Sequence, residues 1–163
     1  MSESEPKTWV LTGSIENFRA TREHGFGLIG AKEGRRGMAE QIEPGDRIVF
    51  YLTKLQAFGA IVQVTSEMFE DRQQVWPGKP GKVDPYPWRF ETKPLVVLDE
   101  DALVAAEELA PRLEHVRKWP AEHWHLAFQG QLRTVGDEDA ALLEREIRAA
   151  HAAGPAATVA QRA

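Results

Sequence analysis

Hydrophobic positions fall in short β-rich runs through the first two thirds of the chain and at helical spacing near its end. Thr8-Trp9-Val10-Leu11-Thr12 is the first run, stopped by Gly13. Ser14 suits an N-cap, and a helix is predicted from Ile15 to about His24, with Phe18 inward and Arg19, Arg22 and Glu23 outward. Gly25-Phe26-Gly27-Leu28-Ile29-Gly30 interleaves glycines with apolar residues, which predicts an extended segment with close backbone approaches. Residues 31–37 read as a mobile polar loop, Met38 to Ile42 as a helical turn, and Glu43-Pro44-Gly45-Asp46 as a turn. Arg47–Thr53 and Phe58–Thr65 are the strongest strands, and the brief link between them predicts an antiparallel hairpin. Residues 72–85, with Pro77-Gly78, Pro80-Gly81 and Pro85, form a long loop, which in a compact domain is usually functional. Pro87–Thr92 and Val96–Leu98 resume strand character. Helices are predicted from Asp101 to Leu109, from Pro111 to about Arg117, and after Gly136. In the last of these, Ala140, Leu143 and Ile147 share a face and the acids stand at its positive end. Hairpin-linked strands with flanking helices make an α+β domain built on a curved or barrel-like antiparallel sheet. Residues 1–6 read as a disordered N-terminus and the Ala-rich 151–163, broken by Gly154-Pro155, as a flexible tail, leaving one domain over 7–150.

Composition narrows the chemistry. The chain has 163 residues, about one domain, long enough for a real core. It has no cysteine, which excludes disulfides, thiolate metal sites and cysteine nucleophiles. No apolar run reaches a membrane span, and MSESEPKTWV lacks a signal peptide's basic and apolar regions, so a cytoplasmic location is the default expectation. Net charge is −5, which argues against bulk phosphate attraction as the main theme. Residues 72–94 carry Arg72, Lys79, Lys82, Arg89 and Lys93 against Asp84 and Glu91, which leaves room for a local basic patch.

Few catalytic patterns are present. There is no Gly-x-Ser-x-Gly elbow. Gly25 to Gly30 satisfies a lone G-x-G-x-x-G, but it follows a helix and precedes a charged loop, so no nucleotide cofactor is expected. His123 and His125, two apart with Trp124 between, share a face if this segment is a strand, with Glu122 or His115 as a third ligand. That cluster is the place to look for a metal-dependent enzyme, although histidines capping a loop or packing beside Trp119 explain it more simply.

The aromatics are more informative. Trp76 sits in the Pro/Gly loop, Trp88 at a strand start, Phe26 between glycines, and Tyr51 at the end of the best strand with a polar tip. Trp9 and Phe50 read as core. For Trp76, pinning the loop and lining a pocket are both open. Aromatic faces with a few amide and hydroxyl groups are what a base-reading pocket needs.

Lys7-Thr-Trp-Val-Leu-Thr12, Ser14-Ile-Glu-Asn-Phe18, His24-Gly-Phe-Gly27, Glu43-Pro-Gly-Asp-Arg-Ile-Val-Phe-Tyr51, Gly59-Ala-Ile-Val-Gln-Val64 and Tyr86-Pro-Trp-Arg-Phe90 occur in that order. The pattern resembles the EVE domain, of the PUA-like superfamily and related to the YTH domains that read methylated adenine in RNA. Tyr86-Pro-Trp-Arg and Trp119…Trp124-His-Leu-Ala-Phe128 resemble a small standalone prokaryotic subgroup. The resemblance implies a PUA-like twisted antiparallel β-barrel flanked by helices. It implies a non-enzymatic reader of a modified base in DNA or RNA, without cofactor or metal, with a monomer favoured and no membrane partner. Ser14 and Asn17 would contact the base edge, and Phe26, Gly27 and Leu28 would form one wall of the pocket. Trp76, with Tyr51 and Trp88, would supply aromatic surface; Arg35, Arg36, Lys79, Lys82 and Arg89 would meet phosphates. The YTH branch carries a tryptophan where this chain has Gly27, so the base need not be methyladenine. A binder of free nucleosides or other small molecules would use the same pocket. The pocket reading of Trp76 implies that Trp76→Ala abolishes selective binding with the melting temperature within a few degrees, whereas a loss of fold would return Trp76 to the core.

Overall fold

The computed structural model describes residues 6–77, 86–117, 119, 121–128 and 132–162. The core is a mixed sheet curled into a half-barrel, with strand order β2-β6-β4-β3-β1-β8. The strands on that path are β1 (Thr8–Gly13), β2 (Leu28–Ala31), β3 (Arg47–Leu52), β4 (Ala57–Val64), β6 (Trp88–Val97) and β8 (Leu132–Val135). Two short strands sit beside it: β5 (Phe69–Glu70) pairs with β6, and β7 (Val104–Ala105) pairs with β4. The fold class agrees with the sequence expectation, with one correction. β1 and β3 run parallel, Thr8 opposite Arg47 through Gly13 opposite Leu52, so the sheet is not purely antiparallel. The β3–β4 hairpin is antiparallel as expected.

Alternation along the strands divides the core. Trp9, Leu11, Ile48, Phe50 and Leu52 point into the half-barrel, where they meet Phe18, Phe26 and Phe90. Val10, Val49 and Tyr51 point outward, under α3 (Ala106–Leu109) and α4 (Asp137–Arg162). A bulge adjusts this pattern: pairing passes from Phe50 opposite Ala60 to Tyr51 opposite Phe58, skipping Gly59. A Cβ on Gly59 would lie 2.9 Å from the Phe18 ring, so the bare glycine lets α1 (Ile15–Glu23) settle against β4. A second bulge, between Ile61 and Val62 opposite Val96 and Pro94, carries Pro94 within β6, which therefore continues where the sequence suggested a break.

Other boundaries shift. The polar 31–37 stretch is ordered as a 3₁₀ turn, Glu33–Arg35, followed by α2 (Arg36–Ala39). The helix expected over Asp101–Leu109 is shortened, because Val104–Ala105 joins the sheet first. α4 buries Leu143 and Ile147 as expected and runs to Arg162, through Gly154-Pro155. A proline removes one backbone donor, and here the helix path is maintained across it.

Candidate functional site

A cleft opens where β1 and β3 end side by side. Its floor is Leu11 to Gly13 and Phe50 to Leu52, one side is the first two turns of α1, and the other is Ile29, Gly30, Trp76 and Tyr86. Its cavity volume is about 40 Å³.

The helix side is built by a cap. Ser14 stands in extended backbone at the N-cap, and its hydroxyl accepts from the Asn17 N–H at 3.0 Å. The Asn17 side-chain amide donates to the Tyr86 hydroxyl at 3.1 Å. The Trp76 indole N–H donates to the Thr21 hydroxyl at 2.8 Å, which in turn donates to the Asn17 carbonyl at 2.9 Å. Trp76 and Tyr86 meet edge to face, centroids 5.6 Å apart. Trp76 is only 4% exposed. The opposite wall depends on Gly30, where a Cβ would come within 2.7 Å of the Trp76 ring and 2.8 Å of the Tyr86 carbonyl. Tyr86 itself has φ 50°, a left-handed conformation that side chains rarely adopt and that concentrates at functional sites.

The structure thus brings Ser14, Asn17 and Trp76 together at the cleft, leaves Tyr51 at its floor, and disperses the other expected pocket residues. Phe26 is buried in the core, edge to face with Phe18 and Phe50 at 5.2 and 5.7 Å. The cause is the end of α1. Gly25 at φ 65° gives its N–H to Arg22, and Phe26 gives its N–H to Thr21, a Schellman cap that turns Phe26 inward. Gly27 pairs its carbonyl with the Thr92 N–H, and Leu28 only opens β2; the wall is formed further on, by Ile29 and Gly30. Tyr51 borders the cleft, but its ring lies on the outer face of the sheet, stacked on Phe128 at 4.7 Å. Trp88 is buried at the far end of β2, opposite Ala31. Its indole donates to the Glu33 carbonyl, and Arg36 and Arg72 lie over its ring.

Among the expected phosphate contacts, Arg35 is exposed, while Arg36 stacks on Trp88 and pairs with Glu40 at 3.2 Å. Arg89 is corrected to an interior residue, 1% exposed, because its guanidinium is used by the loop above it. Burial holds it below the ordinary arginine range. Lys79 and Lys82 lie outside the described residues. Tyr86, Thr21 and Gly30 were not singled out as site residues by the sequence; the glycine spacing from Gly25 to Gly30 was the available signal for the last.

The histidines give no metal geometry. Ala121–Phe128 is a 3₁₀ segment kinked at His123, not a strand, and the His123 and His125 rings are 6.3 Å apart. Glu122 is exposed, and His115 Nε2 pairs with the Ala127 carbonyl at 2.7 Å. Among the described residues no group of three or more His, Asp or Glu converges on one point. No helix among them is long and apolar enough to cross a membrane.

Burial pushes the Tyr51 phenol up to about 12. A raised phenol favours the neutral form in the folded state. Its stabilisation is therefore complete below about pH 10 and is lost as pH rises from there through the folded value. Ultraviolet titration should show one of the two tyrosines ionising together with alkaline unfolding, and Tyr51→Phe should remove that component.

Comparisons with known proteins follow this architecture. The model of the EVE domain matches residues 2–144. UPF0310 protein PH1033 of Pyrococcus horikoshii is 22% identical over 147 residues, covering 84% of this chain and 96% of that protein. Among solved structures, the YTH domain of Zygosaccharomyces rouxii MRB1, in complex with N6-methyladenosine RNA, superposes with a TM-score of 0.63. It is 14% identical, covering 90% of both chains. A hypothetical protein from Leishmania major gives a TM-score of 0.59 at 15% identity, covering 88% of this chain and 95% of that one. At these identities the solved structures share the fold, and the domain match extends over most of the sequence: the chain belongs to the EVE domain family.

Proposed function

We propose that this protein is a binding module that accepts one modified base of a nucleic acid, flipped out or unpaired, at the cleft between Trp76–Tyr86 and the start of α1. One observation carries the reading. A single cleft joins two ring systems to the hydroxyl of Ser14 and the amide of Asn17. Stacking contributes about 1–3 kcal/mol per base, and hydrogen bonds to the base edge choose which base. The YTH domain solved with N6-methyladenosine RNA supports it by likeness of fold. The cavity volume of about 40 Å³ is well below the roughly 150 Å³ that admits benzene, so a base would lie in the open mouth of the cleft against the Trp76–Tyr86 wall. Arg35 and Arg36 are the candidates for the neighbouring phosphates. With net charge −5 their contribution is small, and the pocket dominates affinity.

The test is calorimetric titration with short single-stranded RNAs and DNAs, each carrying one N6-methyladenine or one modified cytosine, against unmodified partners. One modified strand should bind about tenfold or more above its unmodified counterpart, a difference of roughly 1.4 kcal/mol. Ser14→Ala with Asn17→Ala should remove that preference. Equal affinity for the isolated nucleoside and the strand, without salt dependence, would point to a small-molecule binder instead. Binding to none of them would end the base-reading proposal.

A further inference from the structure

The residue beneath the cleft is unusual. Arg89 lies in β6 opposite Gly30 of β2, and its side chain is 1% exposed. Burying a cation is costly unless it is paired and hydrogen-bonded. Here the guanidinium divides its donors between the two ends of the long loop. Nε donates to the Tyr86 carbonyl at 3.1 Å, Nη2 donates to the Gln73 carbonyl, and Nη1 faces the Asp71 carboxylate at 3.4 Å. Its centre lies 5.2 Å from the Trp76 ring centroid. Asp71, Gln73 and Trp76 lie on the arm that leaves β5, and Tyr86 on the arm that enters β6. One side chain therefore holds together both arms that carry the aromatic wall.

We infer that Arg89 is a positioning residue for the cleft, setting where Trp76 and Tyr86 stand without touching the ligand. This rests on the reading of the cleft as the binding site. The geometry requires a fork. A lysine ammonium is a compact point charge and cannot reach a carbonyl on each arm and a carboxylate while lying under a ring. Gly30, across the strand pair, supplies the complementary condition, since a side chain there would push the same two aromatics away.

The test is ¹⁹F NMR on protein carrying 5-fluorotryptophan at its five tryptophans, the Trp76 resonance assigned by its loss in Trp76→Phe. Arg89→Gln should shift or broaden the Trp76 resonance and leave that of Trp9, in the core of the half-barrel, in place. It should also weaken binding of whichever modified-base strand the wild type selects by about tenfold, the scale on which supporting residues act. Arg89→Lys should restore neither fully. Asp71→Asn, altering a half-exposed partner and leaving the fold intact, should move the same resonance less. An unmoved Trp76 resonance and unchanged affinity in folded Arg89→Gln would overturn the inference, as would full rescue by lysine. If the glutamine variant does not fold, an unmoved Trp76 resonance in both Asp71→Asn and Arg89→Lys overturns it equally. If no strand binds the wild type, the ligand reading fails while the fluorine spectra still decide the role of Arg89.

Discussion

Trp76→Ala should lower the stability of the fold by about 3–5 kcal/mol, a fall of roughly 10–15 °C in melting temperature for a chain of this size. The pocket reading of the sequence implies the opposite, lost binding with the melting temperature within a few degrees of wild type, while a loop-pinning role stays open. Burial reverses that expectation. The indole is 4% exposed, its N–H is satisfied by Thr21, and its ring fills the space left open by Gly30. Alanine would leave a cavity beside Ile29 and Tyr86 that β2 and β6, tied by their ladder from Leu28–Glu91 to Ala31–Trp88, cannot collapse to fill. Chemical denaturation followed by circular dichroism measures this directly. A melting temperature within a few degrees of wild type would mean that the indole is not packed as described.

The same burial determines how binding defects must be read. Loss of binding in Trp76→Ala would not separate a missing stacking surface from a collapsed wall. Trp76→Phe does separate them. It keeps a ring against Tyr86 but loses the hydrogen bond to Thr21, whose hydroxyl retains the Asn17 carbonyl, and part of the indole's buried volume, at a cost of about 1–3 kcal/mol, below that of alanine.

What was legible in the sequence is what local chemistry decides. Ser14 caps α1 with its side chain on Asn17, as the order of residues indicated, and both reach the cleft for that reason. The turn at residues 43–46 and the β3–β4 hairpin follow from Gly45, at φ 97°, and from two adjacent apolar runs. What was hidden depended on long-range partners. Leu132–Val135 is a brief, half-exposed run whose strand state comes from lying beside β1. Arg89 stands between Trp88 and Phe90, and no periodicity reveals that its charge is consumed by carbonyls on a loop. Phe26 was legible in principle. A glycine followed by a large apolar residue just past a helix is the Schellman pattern, whereas the wall at Phe26–Leu28 comes from the family resemblance and falls in the structure on Ile29 and Gly30.

The parallel pairing of β1 with β3 poses a question that a hairpin does not, because no turn joins the strands to set their register. Asp46 supplies the answer, and Asp46→Ala should cost about 3 kcal/mol or more, roughly 10 °C. The carboxylate is 2% exposed and accepts from the Lys7 N–H at 2.9 Å, the Trp9 indole at 2.9 Å and the Glu43 N–H at 3.0 Å. Two of these donors belong to the start of β1 or the residue before it, and the third to the turn that launches β3. Directly beyond, Arg47 donates to the Lys7 carbonyl, the first rung that places Thr8 opposite Arg47. Removing the acceptor strands the indole N–H of Trp9, which is wholly buried, at about 1–3 kcal/mol for that group alone. Asp46→Asn, which keeps the shape but turns one acceptor into a donor, should fall between alanine and wild type. Glu43→Ala, which removes only the exposed ion pair with Lys7, should change stability by no more than about 1 kcal/mol. Hydrogen exchange locates the effect. In Asp46→Ala the amides of β1 and β3 should lose protection before those of the β2–β6 pair, whereas uniform loss would mean that Asp46 supports the fold generally and does not set this register. The cleft lies at the other end of the same two strands, so a register held at Asp46 is also what keeps Gly13 beside Leu52 and the cap of α1 facing Trp76.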